Sequence, residues 1–157
     1  MSRILKGITV SVLAALLCAV MGFSWHPDEV PAGNAAQDDK LVVIVNNQLD
    51  VDSISVADLN RIYLGKKKIL AGQNINRLAS LENGEIHQLF LSTCLNRSHS
   101  SFINYWKRMV FTGKGLMPKV FKNEREIVDY VKKHKTAIGY ISVNTPHDGV
   151  KSVILKD

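Results

Sequence analysis

The sequence predicts an α/β fold with a mostly parallel sheet flanked by helices. Three observations predict it, and the first is the continuously apolar run "LVVIV" at 41–45, typical of a strand buried on both faces, as in a parallel sheet. The second is a set of amphipathic segments that open with helix-capping residues. The third is the order β-α-β-α-α-α-β-β, an alternation typical of α/β domains. Asn46 and Asn47 supply turn chemistry after the first strand.

The first predicted helix follows in "SVADLNRIY" at 55–63. Ser55 with Asp58 three residues later resembles a capping box, and Gly65 is a typical helix stop. The three lysines at 66–68 follow the negative end of this helix, where the helix dipole and solubility explain them.

The middle of the chain predicts a strand at 74–80, "NINRLAS", and a helix at 85–95, "EIHQLFLSTCL". Ser98 is the expected cap of a third helix. The apolar residues of this helix recur at three- and four-residue spacing: they are Phe102, Tyr105, Trp106 and Met109. The stretch "TGKGLMP" at 112–118 is expected to be a loop.

Asn123 with Glu126 predicts the start of a fourth helix, with Ile127, Tyr130 and Val131 as its buried face. Lysines between 132 and 135 follow its end. Two final strands are predicted at 137–143, "AIGYISV", and at 150–155, "VKSVIL".

The N-terminal segment has the pattern of an export signal. Arg3 and Lys6 precede an apolar, uncharged stretch at 8–23, which is short for a membrane span of about 20 residues. We therefore expect a signal peptide at 1–24, or one that extends to 36, just past the second candidate motif "GNA" at 33–35, with an uncleaved anchor as the alternative. A linker at 25–40 and a folded domain at 41–157 complete the expected organisation.

The expected export and the net charge favour a basic exported domain without a disulfide scaffold. The net charge of +6 becomes +4 when Arg3 and Lys6 leave with the signal, which suits anionic ligands. Cys18 leaves too, so the expected mature chain contains one cysteine, Cys94, and forms no internal disulfide. The apolar neighbours of Cys94 predict a buried thiol.

Several kinds of chemistry lack their motifs. "FTGKGLMP" is not a nucleotide-binding P-loop, because Gly115 stands where Ser or Thr is required and Arg108 where the first glycine is required. No G-x-S-x-G motif marks a hydrolase, so we expect no enzyme. The histidines are singly placed along the sequence and predict no metal site: they are His26, His87, His99, His134 and His147. Basic and aromatic residues around Trp106 suggest nucleic acid only weakly, and export argues against it.

Four stretches together resemble a known family: "LVVIVN", "SVADLNRIYLGKKK", "YWKRMVFTGKG" and "AIGYISV". Their order and spacing are similar to those of the periplasmic phosphate-binding proteins of ABC transporters, especially short single-domain members. The resemblance covers about 41–153. It implies a single periplasmic-binding-protein-like lobe of type II, a periplasmic location, phosphate or another oxyanion as ligand, no cofactor, no nucleic acid, and an ABC permease or other membrane partner.

The resemblance also implies where the ligand binds. The family's phosphate loop corresponds to "SLENGEI", in which Ser80 stands in place of an arginine, Gly84 in place of a serine and Glu85 in place of a glycine. Backbone amides at such a helix start would still donate to an anion. The expected ligand-binding residues are Asn46, Asn47, Arg77, Ser80, Asn83, Gly84, Glu85 and Lys114. The alternative is an interaction or sensory module that keeps the fold and has lost the phosphate site.

Overall fold

A computed structural model describes residues 40–157 of the chain. Every described residue belongs to one compact unit, Asn34–Asp157. The expected signal peptide and most of the expected linker lie outside the described residues, so both stay predictions. Within the described part, no helix combines the length and the apolar character that crossing a membrane requires.

The described residues form eight strands and four helices. The strands are β1 (Leu41–Asn46), β2 (Ser53–Ser55), β3 (Ile69–Leu70), β4 (Gln73–Asn74), β5 (Arg77–Leu81), β6 (Lys119–Phe121), β7 (Ala137–Ser142) and β8 (Val150–Lys156). The helices are α1 (Val56–Tyr63), α2 (Glu85–Thr93), α3 (His99–Phe111) and α4 (Glu124–Lys133).

All four predicted helices are confirmed, and three of their predicted caps are formed. Ser55 accepts a hydrogen bond from the amide of Asp58 at 3.1 Å, and Asn123 accepts one from the amide of Glu126 at 3.0 Å. Ser98 caps α3 in the same way. Because these bonds join residues three positions apart, the local sequence is enough to specify them.

The sequence does not predict the short strands β2, β3 and β6, and of β4 it predicts only Asn74. Each has two or three residues and exists through its pairing with a distant strand or in a small hairpin. The predicted strand at 74–80 divides, since β4 ends at Asn74 and β5 begins at Arg77. Ile75, buried between them, donates its amide to Lys68 instead.

The main sheet has six strands in the order β2-β8-β1-β7-β5-β6. Three of its neighbouring pairs are parallel and two are antiparallel, so the prediction of a mostly parallel sheet is confirmed. Both antiparallel pairs involve β1, which is buried as predicted but runs against β7 and β8. Burial therefore explains its apolar sequence, whereas its direction follows from the chain connections.

Helices cover both faces of this sheet. Gly139 of β7 faces Ile127 and Val131 of α4 on one side. The next residue, Tyr140, stacks on Phe90 of α2 on the other. One hydrophobic core joins residues of all four helices with those of the central strands. Cys94 is 3% exposed within that core, which confirms the predicted buried thiol.

Candidate functional site

The direction of β1 separates two groups of predicted site residues. Val45 of β1 and Leu78 of β5 lie at the same level, because both are in register with Ile138 of β7. Since β1 and β5 run in opposite directions, Asn46, the last residue of β1, lies near the edge of the sheet where β5 starts. The loop at 83–85 follows the other end of β5. Asn46 and Gly84 therefore lie at opposite edges of the sheet and do not share a site.

The side chain of Asn46 takes part in the fold. It is 6% exposed and donates to the carbonyls of Val131 and Lys132, both at 2.9 Å. Its oxygen accepts the amide of Gln48 at 3.0 Å. These bonds close the C-terminal end of α4 and start the turn after β1, where the neighbouring Asn47 is exposed.

The predicted loop after β5 forms an open depression of about 710 Å³. Gly84, at φ +102°, is the residue before α2 and supplies no side-chain cap. Asn83 and Glu85 line the depression beside the N-terminus of α4. Ser80 is instead buried in the strand, where its hydroxyl lies 3.0 Å from the Tyr140 hydroxyl.

Carboxylates already occupy the two helix N-termini at this depression. Glu85 is the first residue of α2, and its largely exposed side chain pairs with Lys40 at 3.5 Å. Glu124 is the first residue of α4 and accepts hydrogen bonds from the Ser142 amide, at 2.7 Å, and from the Thr145 hydroxyl. Both satisfy the positive helix ends. Lys122 and Arg125 balance them, so the depression has mixed charge.

A second depression has one sign of charge. It is a groove of about 560 Å³ that the hairpin β3–β4, the start of β5 and the loop after α3 line together. We call it the cationic groove. Its charged lining residues are Lys67, Lys68, Arg77, Lys114 and Lys119, with no Asp or Glu among the lining residues. Arg77 and Lys114, predicted from separate segments, therefore share one groove.

The charge of this groove is visible in the sequence as two segments without carboxylates. Residues 59–81 contain five Lys or Arg, residues 86–123 contain six, and neither segment contains Asp or Glu. Lys67 and Lys68 were missed because the helix dipole and solubility explain the lysines that follow α1, and Lys119 was missed because no sequence motif includes it. Asp58 lies outside the groove lining but pairs with Lys67 at 2.7 Å, which offsets one of the charges.

The loop "TGKG" places Lys114 at the groove. Gly113 adopts φ +67° and ends α3, and a Cβ at Gly115 would lie 3.2 Å from the Trp106 ring. The chain therefore passes closely over Trp106, which also lines the groove. The buried indole N–H of Trp106 has no hydrogen-bond partner among the described residues. An indole N–H is a donor only.

The structure pairs two histidines that the sequence interpretation treated as single. His87 is 1% exposed, and its Nε2 lies 2.9 Å from Nδ1 of His99 because α2 and α3 pack together. Its Nδ1 lies 2.6 Å from the Tyr140 hydroxyl. Burial, followed by the neighbouring His99, lowers the pKa of His87 to about 4. Within residues 40–157, no three His, Cys, Asp or Glu residues form a group that could hold a metal ion.

Solved structures of other proteins share the fold of this chain. No protein-family model matches the chain, and no curated protein matches it. Solved structures do match. An ABC-type phosphate transport receptor from Vibrio cholerae matches with a TM-score of 0.58 and 18% identity, covering 74% of this chain and 46% of the receptor.

Two further matches are similar. PstS from Borrelia burgdorferi matches with a TM-score of 0.54 and 16% identity, covering 76% of this chain and 48% of PstS. A Clostridium perfringens protein described as a phosphate ABC transporter substrate-binding protein was solved with bound phosphate. It matches with a TM-score of 0.58 and 20% identity, covering 74% of this chain and 45% of that protein. This chain spans a little under half the length of these proteins, and it shares the α/β fold of the part of them that it matches.

Proposed function

We propose that this chain is a non-enzymatic periplasmic protein that binds phosphate or a related oxyanion for an ABC-type transport system. The observation that carries the proposal is the cationic groove, in which five basic side chains and no carboxylate line about 560 Å³. The likeness in fold to phosphate-binding proteins supports the same ligand class.

Arg77 and Lys114 are the residues that we assign to the oxyanion. A guanidinium can donate two parallel hydrogen bonds to one phosphate, and an ammonium adds a compact positive charge. The partnerless N–H of Trp106 offers a third donor if side chains at the groove shift on binding. Asn46 and Ser80 contribute to the fold in this assignment, since their side chains are buried and hydrogen-bonded.

Titration of the unit Asn34–Asp157 with inorganic phosphate tests the proposal. We expect heat of binding and a rise in melting temperature at millimolar phosphate, because a ligand of the folded state stabilises it. Arg77→Ala and Lys114→Ala should each weaken binding about ten-fold, the loss of one charge-assisted contact. Lys156→Ala, at the far end of β8, is the matched control. Absence of heat and of any thermal shift would contradict oxyanion binding.

Glu85→Gln distinguishes the groove from the predicted loop. If phosphate binds at 83–85, removing the carboxylate from the start of α2 should strengthen binding, because Glu85 would repel a dianion. If phosphate binds in the cationic groove, at the other end of β5, the variant should bind as the parent does. Tighter binding in Glu85→Gln would return the site to Asn83, Gly84 and Glu85.

One observation favours the alternative, an interaction or sensory module without a phosphate site. Glu85 and Glu124 place carboxylates at both helix N-termini of the loop depression, where an anion would otherwise bind. In that case the unit should bind no oxyanion and should instead retain a membrane partner such as a permease in a pull-down from solubilised membranes. Measurable phosphate binding together with an empty pull-down counts against the module.

A further inference from the structure

We propose that the end of α3 and the following turn form a tip, Val110–Leu116, that docks on a lipid bilayer carrying anionic headgroups. Phe111 and Leu116 would enter the interface and the surrounding basic side chains would contact the headgroups. The tip adjoins the cationic groove and shares Lys114 and Leu116 with its lining, but docking of Phe111 and Leu116 does not require the groove to bind an oxyanion.

The first observation is the exposure of large apolar side chains at the tip. Phe111 is 92% exposed, Leu116 86% and Val110 48%. Single exposed apolar residues are common on soluble proteins, but three within seven residues are not explained by chance exposure alone. Burial of a side chain such as Phe111 in an apolar phase is favourable, so the tip gains from a partner surface.

The second observation is that the tip is held in place. Phe102 and Trp106 form the buried side of α3, and Phe111, nine residues after Phe102, lies on the opposite side. Val110 follows Trp106 by one turn and is exposed because it lies at the end of the helix. The amide of Gly113 donates to the carbonyl of Val110 at 3.0 Å, and that of Lys114 donates to Met109 at 2.9 Å. These bonds close the turn that carries the exposed side chains.

The third observation is charge. Lys107, Arg108 and Lys114 lie within or beside the tip, and no Asp or Glu occurs between Glu85 and Glu124 in the sequence. A basic surface around apolar side chains is complementary to anionic lipid headgroups, since each Lys or Arg near such a surface adds attraction. Residues 110–114 are all exposed at a helix end and turn. A projecting end of this kind suits insertion of a few side chains better than the broad contact of a stable protein interface.

Vesicle binding tests the proposal on the unit Asn34–Asp157, which contains the whole described core. We expect co-sedimentation with vesicles of equimolar phosphatidylcholine and phosphatidylglycerol, little with phosphatidylcholine alone, and weakening with added salt. The double variant Phe111→Ser, Leu116→Ser should partition roughly ten- to a hundred-fold more weakly, as expected for loss of two buried apolar side chains. The matched control is Ile154→Ser, which removes an exposed apolar residue on β8.

Depth of insertion gives an independent readout. Brominated acyl chains should quench the added fluorescence of Phe111→Trp and should not quench that of Ile154→Trp. Equal vesicle binding by the parent and the double variant, or absence of quenching at position 111, would overturn the proposal. So would a concentration-dependent dimer that the double variant abolishes without any vesicle binding, because the tip would then contact a second copy. Phosphate titration of Phe111→Ser should be unchanged, which separates this inference from the function of the groove.

Discussion

Tyr140 is the residue at which the buried polar contacts of the sheet meet. Its hydroxyl accepts the amide of Leu81 at 3.0 Å and lies 3.0 Å from the Ser80 hydroxyl and 2.6 Å from Nδ1 of His87. Its ring stacks on Phe90 with a centroid distance of 3.8 Å. Burial raises the pKa of Tyr140 to about 12, so the hydroxyl keeps its proton and can donate.

Replacing Tyr140 by Phe should destabilise the protein by about 2–4 kcal/mol, because the Leu81 amide and His87 would lose a partner inside the core. Urea denaturation measures this difference. Tyr105→Phe is the matched control, since its hydroxyl makes a single bond to the carbonyl of Leu64 at a half-buried position. We expect a loss of about 1 kcal/mol there. Equal losses in the two variants would show that the Tyr140 contacts do not act together.

His87 should make stability depend on pH. Its pKa is lowered from 6.5 in the unfolded chain to about 4 in the folded protein, so the unfolded chain binds the proton more tightly. The contribution of neutral His87 to stability is therefore complete above pH 6.5 and is lost as the pH falls toward 4. Urea denaturation across this range should show a smaller loss for His87→Gln than for the parent. Superimposable losses in the two proteins would contradict the assignment.

At the scale of elements, the packing of α4 on β7 depends on Gly139. A Cβ there would lie 2.5 Å from Cγ2 of Ile127 and 3.2 Å from Cγ2 of Val131. Gly139→Ala should therefore separate the helix from the strand and cost about 1–3 kcal/mol, as overpacked cores do. Gly115→Ala, where the new Cβ meets the Trp106 ring at 3.2 Å in a surface loop, should cost less. Thermal denaturation of both variants gives the comparison, and a neutral Gly139→Ala would contradict it.

The same scale shows how far local sequence specified the elements. The helices were predictable because caps such as Ser55–Asp58 and Asn123–Glu126 act over three residues. The strands β2 and β6 were not, because only pairing with β8 and β5 makes these short segments strands. The antiparallel pairing of β1 with β7 places Asn46 at the end of the sheet where β5 starts, away from Gly84, which the sequence order alone does not reveal.

At the scale of the molecule, one core joins all four helices and the main sheet. Although the chain spans under half the length of the proteins it matches, we expect Asn34–Asp157 to unfold in a single cooperative transition. Near- and far-ultraviolet circular dichroism should give the same midpoint in urea. Separate midpoints would indicate that this unit needs a partner to complete its packing.

Basic and acidic side chains are separated along the described part of the chain. The segments 59–81 and 86–123 contain eleven Lys and Arg residues and no carboxylate, and five of these residues line the cationic groove. Carboxylates lie instead around the starts of α2 and α4 and near β2. The proposed anion binding at the groove and the proposed attraction of the tip to an anionic surface both rest on this separation.

The sequence by itself determined the α/β class, the four helices with their caps, the apolar central strands and the buried thiol of Cys94. These features depend on periodicity and on contacts within one helical turn, which adjacent residues encode. Only the tertiary structure decided that Asn46 closes α4, that His87 meets His99 and that Arg77 shares a groove with Lys114. Those contacts join residues from 12 to 86 positions apart, and strand direction and helix packing bring them together.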